Sequence, residues 1–198
     1  WEFPIPLVRD HGRWQSDVEA GREEIANRRI GRNELHTIAS MHAYVDAQRE
    51  YFAEARDGNP PAYASRVISS EGKHDGLYWP AADGAPESPL GPLMASAANE
   101  GYKPTDGDPL AYHGYYYRTL SAQGKSAPGG AKSYVVGGEM SGGHALIAWP
   151  AQYDTTGVMT FLVSADGVVR EKDLGAQTDW VAKGISRFNP DASWAAIQ

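Results

Sequence analysis

The feature that most constrains this chain is the segment from Tyr112 to Gly175, where four apolar runs alternate with glycine-bearing turns. The runs are rich in β-branched and aromatic residues, which suit the pleated surface of a sheet. They are Tyr115–Leu120, Ser133–Val136, Ala145–Trp149 and Val158–Val163, and a short fifth run follows at Val168–Arg170. The segment therefore predicts a four- to five-stranded antiparallel sheet.

Two helices are predicted ahead of this sheet. Ser16 and Glu19 form a capping-box pattern at the start of the first helix, and Gly31 is predicted to end it. Asn33 then caps a second, longer helix that runs to about Arg56. Its apolar stripe recurs at helical spacing through Leu35, Ile38, Val45 and Phe52. We expect this stripe to pack across one face of the sheet, which makes the chain an α+β protein.

The chain between the long helix and the sheet is irregular. The part from residue 63 to residue 105 is rich in proline and glycine, and a loop of this size is usually functional or packed down by its own aromatics. Leu77-Tyr78-Trp79-Pro80 is the predicted anchor of this loop. Short helices are predicted at Leu90–Asn99 and Thr178–Ile185.

The first eight residues form an alternating pattern. Pro4 and Pro6 remove backbone donors from one edge of an extended segment, which predicts an edge strand whose other edge is free to pair. The turn chemistry of Asp10-His11-Gly12 then predicts a hairpin. This defines an N-terminal β-hairpin appendage over residues 1–16 and an α+β domain over residues 17–198. The apolar side chains of the strand, which we predict to mediate interaction, are Trp1, Phe3, Ile5 and Leu7.

Composition excludes several function classes. The formal net charge of −7 argues against nucleic-acid binding, which needs clustered Lys and Arg. The absence of cysteine excludes disulfides and thiol catalysis. No run approaches the roughly 20 apolar residues of a membrane-spanning helix. Because the first residue is Trp1, we expect a processed chain whose leader is missing.

Candidate acid–base residues lie in the long loop and at strand entrances. His113 and His144 could meet across the sheet, near His74 and Asp75 from the loop. No nucleophile elbow, phosphate loop or zinc motif accompanies them. We therefore assign no catalytic residue. These four side chains are the candidates for acid–base catalysis, and the alternative is that each has a purely structural role.

Metal binding has two candidate patterns. The acidic turns Asp57-Gly58-Asn59 and Asp106-Gly107-Asp108 resemble parts of calcium loops, although neither continues to the distant Glu of an EF-hand. His42, Asp46 and Glu50 share one helix face, with a solvated polar stripe as the alternative. No metal site or cofactor is assigned, and calcium is the one candidate cofactor.

The order of elements resembles the bacterial exported family DUF2950, a domain of unknown function. The resemblance is carried by the motifs ANRRIGRNEL, DGLYWP, SPLGPL and MTFLVSADGVV. It implies export, with a leader and a further segment ahead of Trp1, and no established activity. The strand, turn and strand of MTFLVSADGVVREKD after a long helix is also similar to type IV pilin-like domains, without the apolar helix start of true pilins.

We expect a non-enzymatic envelope or extracellular protein, periplasmic or secreted. It would act through protein contacts, and its N-terminal strand would allow it to form a homo-oligomer. The alternative is an envelope hydrolase or a glycan-binding module that uses the loop from Ser69 to Pro80 and the mouth of the sheet.

Overall fold

A six-stranded antiparallel sheet covered on both faces forms the centre of the protein. The computed structural model describes residues 3–55, 58–81, 87–99 and 110–197. The elements in chain order are β1 (Leu7–Asp10), β2 (Arg13–Ser16), α1 (Val18–Phe52), β3 (Arg66–Ile68), β4 (Gly76–Tyr78), α2 (Gly91–Asn99), β5 (Leu110–Tyr112), β6 (Tyr115–Leu120), β7 (Ala122–Gln123), β8 (Lys132–Ser133), β9 (Ala145–Pro150), β10 (Met159–Ser164), β11 (Arg170–Asp173), α3 (Thr178–Gly184) and β12 (Ala195–Ala196). The α+β class with a long N-terminal helix is thereby confirmed.

The main sheet has the strand order β12-β11-β10-β9-β6-β5, and every pair in it is antiparallel. Strands β9 and β10 are central and almost wholly buried. The sheet has one strand more than the largest number predicted, because the edge strands β5 and β12 are too short to leave a clear alternation in the sequence.

One predicted strand does not belong to this sheet. The run Ser133–Val136 contributes only Ser133 to β8, which pairs with β7 in a separate two-stranded sheet. Val135 and Val136 are exposed beyond it. The last predicted strand is also displaced along the chain. It was expected at Val168–Arg170, whereas β11 spans Arg170–Asp173. Local β-propensity identified the residues but not their partners.

The two predicted helices are one continuous helix. The side chain of Asp17, not that of Ser16, caps α1 by accepting a hydrogen bond from the Ala20 amide at 3.0 Å. Gly31 lies inside α1 with ordinary helical backbone, and nothing lies within 4 Å of where its Cβ would be. Glycine permits a helix end but does not impose one, so the helix continues to Phe52.

Replacing Gly31 by alanine is expected to stabilise the protein by roughly 0.5–1 kcal/mol, because alanine loses less backbone entropy in a helix and meets no neighbour here. Urea unfolding followed by circular dichroism would measure the change. Gly12→Ala serves as the control. Gly12 has a φ of +79°, which an alanine adopts only with strain, so this variant should lose stability. Destabilisation by Gly31→Ala would mean that α1 is broken at this position in solution.

The face of α1 that packs on the sheet is rotated from the predicted stripe. Leu35 is 68% exposed and Phe52 is 36% exposed, whereas Tyr44 and Gln48 are buried. Leu35 precedes Tyr44 by nine residues, which places it on the opposite side of a helix with 3.6 residues per turn. Val45 of the stripe is buried and Ile38 packs against the same core, so the prediction was right for these two residues and wrong for Leu35 and Phe52. The buried face also carries polar residues that hydrogen bonds satisfy. The buried residues between Thr37 and Tyr51 are Thr37, Ser40, Met41, Tyr44, Val45, Ala47, Gln48 and Tyr51.

Hydrogen bonds fix α1 against the sheet. The Glu34 carboxylate accepts from the backbone amides of Val158 and Met159 at 2.9 and 3.0 Å, just ahead of and at the start of β10. Tyr117 of β6 donates to Thr37 Oγ1 at 3.1 Å. These bonds lie in the half of α1 that covers the sheet. From residue 18 to residue 28, all within the described part of the chain, Gly21 is the single buried position.

The opposite face of the sheet is covered by α3 and by the β7–β8 region. Ile147, Trp149 and Leu162 point to this side and pack with Ala182 of α3. The predicted helix at Thr178–Ile185 corresponds to α3, and Leu90–Asn99 corresponds to α2. Within the residues that the structure describes, no helix has the length and apolar character needed to cross a membrane. The division at residue 16 stays a prediction.

Candidate functional site

His74 and Asp75 lie together at a small pocket beside the end of α1. Its cavity of about 120 Å³ is also lined by Tyr51, Tyr63 and Glu139. The hydroxyl of Tyr51 donates to the His74 carbonyl oxygen, which fixes the loop to the helix. Two of the four predicted acid–base residues are thus brought to one pocket.

The carboxylate of Asp75 is engaged in holding its own loop. It accepts from the Ser70 amide at 2.7 Å and from the Ser70 hydroxyl at 2.8 Å. Partial desolvation acts to raise the pKa of Asp75, but the hydrogen bonds from Ser70 outweigh it, so the pKa lies below its ordinary value. A carboxylate held ionised in this way is a poor proton acceptor, and its geometry is that of a loop clamp.

His144 lies in the core, behind the wall of this pocket. Its ring is 4.7 Å from that of Tyr63 and 5.5 Å from that of Tyr44, and the residue is 1% exposed. Burial, followed by the positive charge of Arg49, lowers the pKa of His144 to about 4. The imidazole is therefore neutral at physiological pH. Its Nδ1 is buried and has no hydrogen-bond partner among the described residues.

His113 lies in a tight turn and not in the pocket of His74. It precedes Gly114 in the two-residue connection between β5 and β6, and both residues have positive φ. Its ring packs 4.2 Å from that of His36 on α1 and 4.0 Å from that of Tyr112. His113 is not among the residues that line the pocket of His74. The structure therefore does not gather the four candidates into one acid–base centre.

An open groove runs along the loop that the sequence singled out. Residues 68–74 and Tyr78, Trp79 and Pro80 line a cavity of about 530 Å³. Tyr78 and Trp79 are half-buried, and the ring of Trp79 lies 4.7 Å from that of His74. The parallel pair β3–β4 holds the two sides of the loop together. This groove presents aromatic surface beside hydroxyl and charged groups.

Metal ligands do not cluster in the described part of the chain, where no group of three or more His, Asp or Glu side chains could hold an ion. Asp46 forms an ion pair with Arg49 instead of joining His42 and Glu50 in a site. The turn at Asp106-Gly107-Asp108 and the residue Asp57 lie outside the described residues, so calcium binding there stays a prediction.

The predicted interaction segment is only partly a strand. Residues 3–6 are not in a strand, because β1 begins at Leu7. Ile5 turns onto α1, where a Cβ on Gly21 would lie 2.7 Å from Ile5 Cγ1. Phe3 and Leu7 are 74% and 63% exposed, and Trp1 lies outside the described residues.

The hairpin β1–β2 forms a two-stranded sheet of its own. His11 and Gly12 both have positive φ, as a type I′ turn requires, and all eight strand residues are exposed. Leu7 pairs with Ser16 and Arg9 with Trp14, so Leu7 and Trp14 project from the same face. Sequence reasoning missed Trp14, which is 69% exposed. The turn at residues 11 and 12 would have revealed it, since that turn fixes the register.

The profile of the family "Protein of unknown function (DUF2950)" matches residues 1–197. The chain belongs to the DUF2950 family. The resemblance stated from the sequence motifs is thereby confirmed over the whole chain. No curated protein and no solved structure matches this DUF2950 protein significantly. Its likeness to type IV pilins stays a prediction.

Proposed function

We propose that this DUF2950 protein is a non-enzymatic, exported envelope or extracellular protein that self-associates through its N-terminal hairpin. The observation that carries the proposal is the exposed β1–β2 sheet, with Leu7 and Trp14 on one face and two strand edges that pair with no other described strand. Such an edge is a template for pairing with another chain. A pilin-like assembly, in which one end of a long helix carries the contact, is part of this proposal.

The backbone of the hairpin favours a second copy as the partner. Pro6 accepts a hydrogen bond from the Asp17 amide, so the even-numbered residues of this segment direct their backbone groups towards β2. Leu7 and Arg9 then direct theirs outwards. Two copies of β1 can pair antiparallel with Val8 opposite Val8 and Leu7 opposite Arg9. This register avoids like charges directly opposite each other and adds the apolar area of Leu7 to the contact.

Charged substitutions on the hairpin are expected to abolish self-association. The double variant Leu7→Glu/Trp14→Glu places two carboxylates on the proposed contact face and should shift an oligomer to monomer. Light scattering coupled to size-exclusion chromatography would measure the mass. Arg9→Pro removes one outward amide and should weaken association at least tenfold, whereas it leaves the hairpin's own bonds in place.

The matched control is Trp180→Glu. Trp180 is 77% exposed on α3, so this variant removes a similar apolar side chain from a surface outside the hairpin. Its oligomeric state should equal that of the unaltered chain. A monomeric unaltered chain over the micromolar range, or an oligomer unaffected by the hairpin variants, would contradict the proposal.

A second candidate, glycan binding, is favoured by the groove along residues 68–80. Half-buried Tyr78 and Trp79 beside Ser69 and Ser70 offer the combination of aromatic surface and polar groups on which sugars stack. The hydrolase form of this alternative has less support, because Asp75 is committed to Ser70 and His113 and His144 do not line the same pocket.

A further inference from the structure

A third cavity lies on the face of the sheet opposite α1. It has a volume of about 340 Å³ and is bounded by strands β10 and β11, by the end of α3 and by the residues that follow α3. This volume falls in the range of roughly 300–1,000 Å³ that is typical of ligand pockets. Its lining contains none of the residues of the hairpin or of the loop 68–80, so it is independent of the proposed function.

The floor and one wall of this cavity are apolar. Leu162 of β10, which is 1% exposed, lies at the floor beside Leu174. Val181 of α3 and Ile185, which directly follows α3, form one side, and the half-buried ring of Trp194 forms another. A flat aromatic or short aliphatic group would bury apolar surface against all of these side chains.

The polar part of the lining is positively charged. Among the residues that the structure describes, Lys172 and Arg187 are the two charged residues that line the cavity, and no Asp or Glu lines it. The chain as a whole has a net charge of −7. The charge of the lining therefore favours an anion, in contrast to the net charge of the chain.

The two cations differ in their surroundings. Lys172 donates to Ser193 Oγ at 2.7 Å, and its ammonium lies 6.0 Å from the centre of the Trp194 ring. Hydrogen bonds from Ser193, and then the charge of Lys172, lower the pKa of Asp191, so that carboxylate balances part of the ammonium charge. Arg187 is exposed and forms no ion pair in the described part of the chain. Its guanidinium is thus the available partner for an external carboxylate.

The rim of the cavity is held in place by close packing. Asn189 Oδ1 accepts from the Ser126 amide at 2.8 Å, and the Gly124 amide donates to the Phe188 carbonyl at 2.9 Å. A Cβ on Gly124 would lie 2.2 Å from Asn189 Oδ1, so only glycine fits there. The rim is therefore fixed before any ligand arrives, which reduces the entropy lost on binding.

We propose that this cavity binds a small organic carboxylate, with its aromatic or short aliphatic body on Leu162, Ile185 and Trp194 and its carboxylate on Arg187. Lys172 supplies a second positive charge beside the aromatic wall. The contact is non-covalent, and no chemical step is part of the proposal.

Three naphthalene compounds that share one body test the charge selectivity. They are 1-naphthoate, 1-naphthylmethanol and 1-naphthylmethylamine, titrated into the full chain labelled with ¹⁵N. The anion should shift the indole signal of Trp194 and the amide signals of residues 185–189, and should bind at least tenfold more tightly than the alcohol. The amine should bind more weakly still.

Arg187→Ala is expected to weaken 1-naphthoate binding about tenfold and to leave binding of the alcohol unchanged. Lys183→Ala is the matched control, because Lys183 is an exposed cation of α3 that pairs with Asp179 and does not line the cavity. Three outcomes would overturn the proposal: equal affinity for the anion and the alcohol, an Arg187→Ala variant that binds the anion as the unaltered chain does, or no shift with millimolar anion.

Discussion

Replacing Gln48 by leucine is expected to destabilise the protein by roughly 3–5 kcal/mol, because the variant loses hydrogen bonds that satisfy buried backbone groups. Gln48 is fully buried, and its amide forms two hydrogen bonds with the backbone of Ala64. Nε2 donates to the Ala64 carbonyl at 2.9 Å, and Oε1 accepts from the Ala64 amide at 2.9 Å. Nε2 also donates to the hydroxyl of Tyr44 at 3.1 Å. Leucine would leave both backbone groups of Ala64 buried without a partner.

Urea unfolding of the two proteins would measure the difference in free energy. Hydrogen exchange provides a local readout, since the Ala64 amide should exchange faster in the variant. Glu50→Leu, on the exposed side of the same helix, is the control and should change stability by less than about 0.5 kcal/mol. A loss below about 1 kcal/mol for Gln48→Leu would mean that water or a shifted backbone satisfies Ala64.

Acid is expected to destabilise the protein between pH 6.5 and pH 4 through His144. The folded state holds the pKa of His144 at about 4, whereas an unfolded histidine has a pKa of about 6.5. In this interval the unfolded chain binds a proton that the folded chain does not. Stability is therefore fully present above about pH 6.5 and falls as the pH falls, by about 3 kcal/mol at most.

The free energy of unfolding, measured against pH for the unaltered chain and for His144→Phe, would isolate this contribution. The variant lacks the titrating group, so its profile should be flatter between pH 6.5 and pH 4. The pKa values of Asp75, Asp166, Asp179 and Asp191 are also lowered in the folded state. These four aspartates change the free energy of unfolding mainly below about pH 4, where an unfolded aspartate becomes protonated. The unaltered chain and the His144→Phe variant both contain them, so their effect is the same in the two profiles. Parallel profiles above pH 4 would contradict a neutral buried imidazole.

The strands β6, β9 and β10 could be predicted from the sequence because their residues suit a buried sheet and turns bound them. The orientation of α1 on the sheet could not be predicted in this way. Apolar spacing placed Leu35 on the core, but Thr37 and Gln48 are buried there through bonds to Tyr117 and Ala64, which lie far away in the sequence. Local periodicity carries no information about such distant partners.

The candidate sites show the same limit. His74 and Asp75 both line one pocket, and they are close in space because they are adjacent in the chain. The positions of His113 and His144 depend on tertiary packing. His113 lies in a turn, and His144 lies in the core. The cavity of Lys172 and Arg187 draws on residues from Gly124 to Trp194, and no motif joins them.

The length of α1 separates the two ends of the molecule. Thirty-five residues in one unbroken helix span about 52 Å at 1.5 Å per residue. The hairpin stands at its beginning, and the pocket of Tyr51 and His74 lies at its end. A neighbour docked at the hairpin would leave that far end uncovered. In the antiparallel pair of β1 strands proposed above, the distal pockets of the two copies would both lie away from the contact.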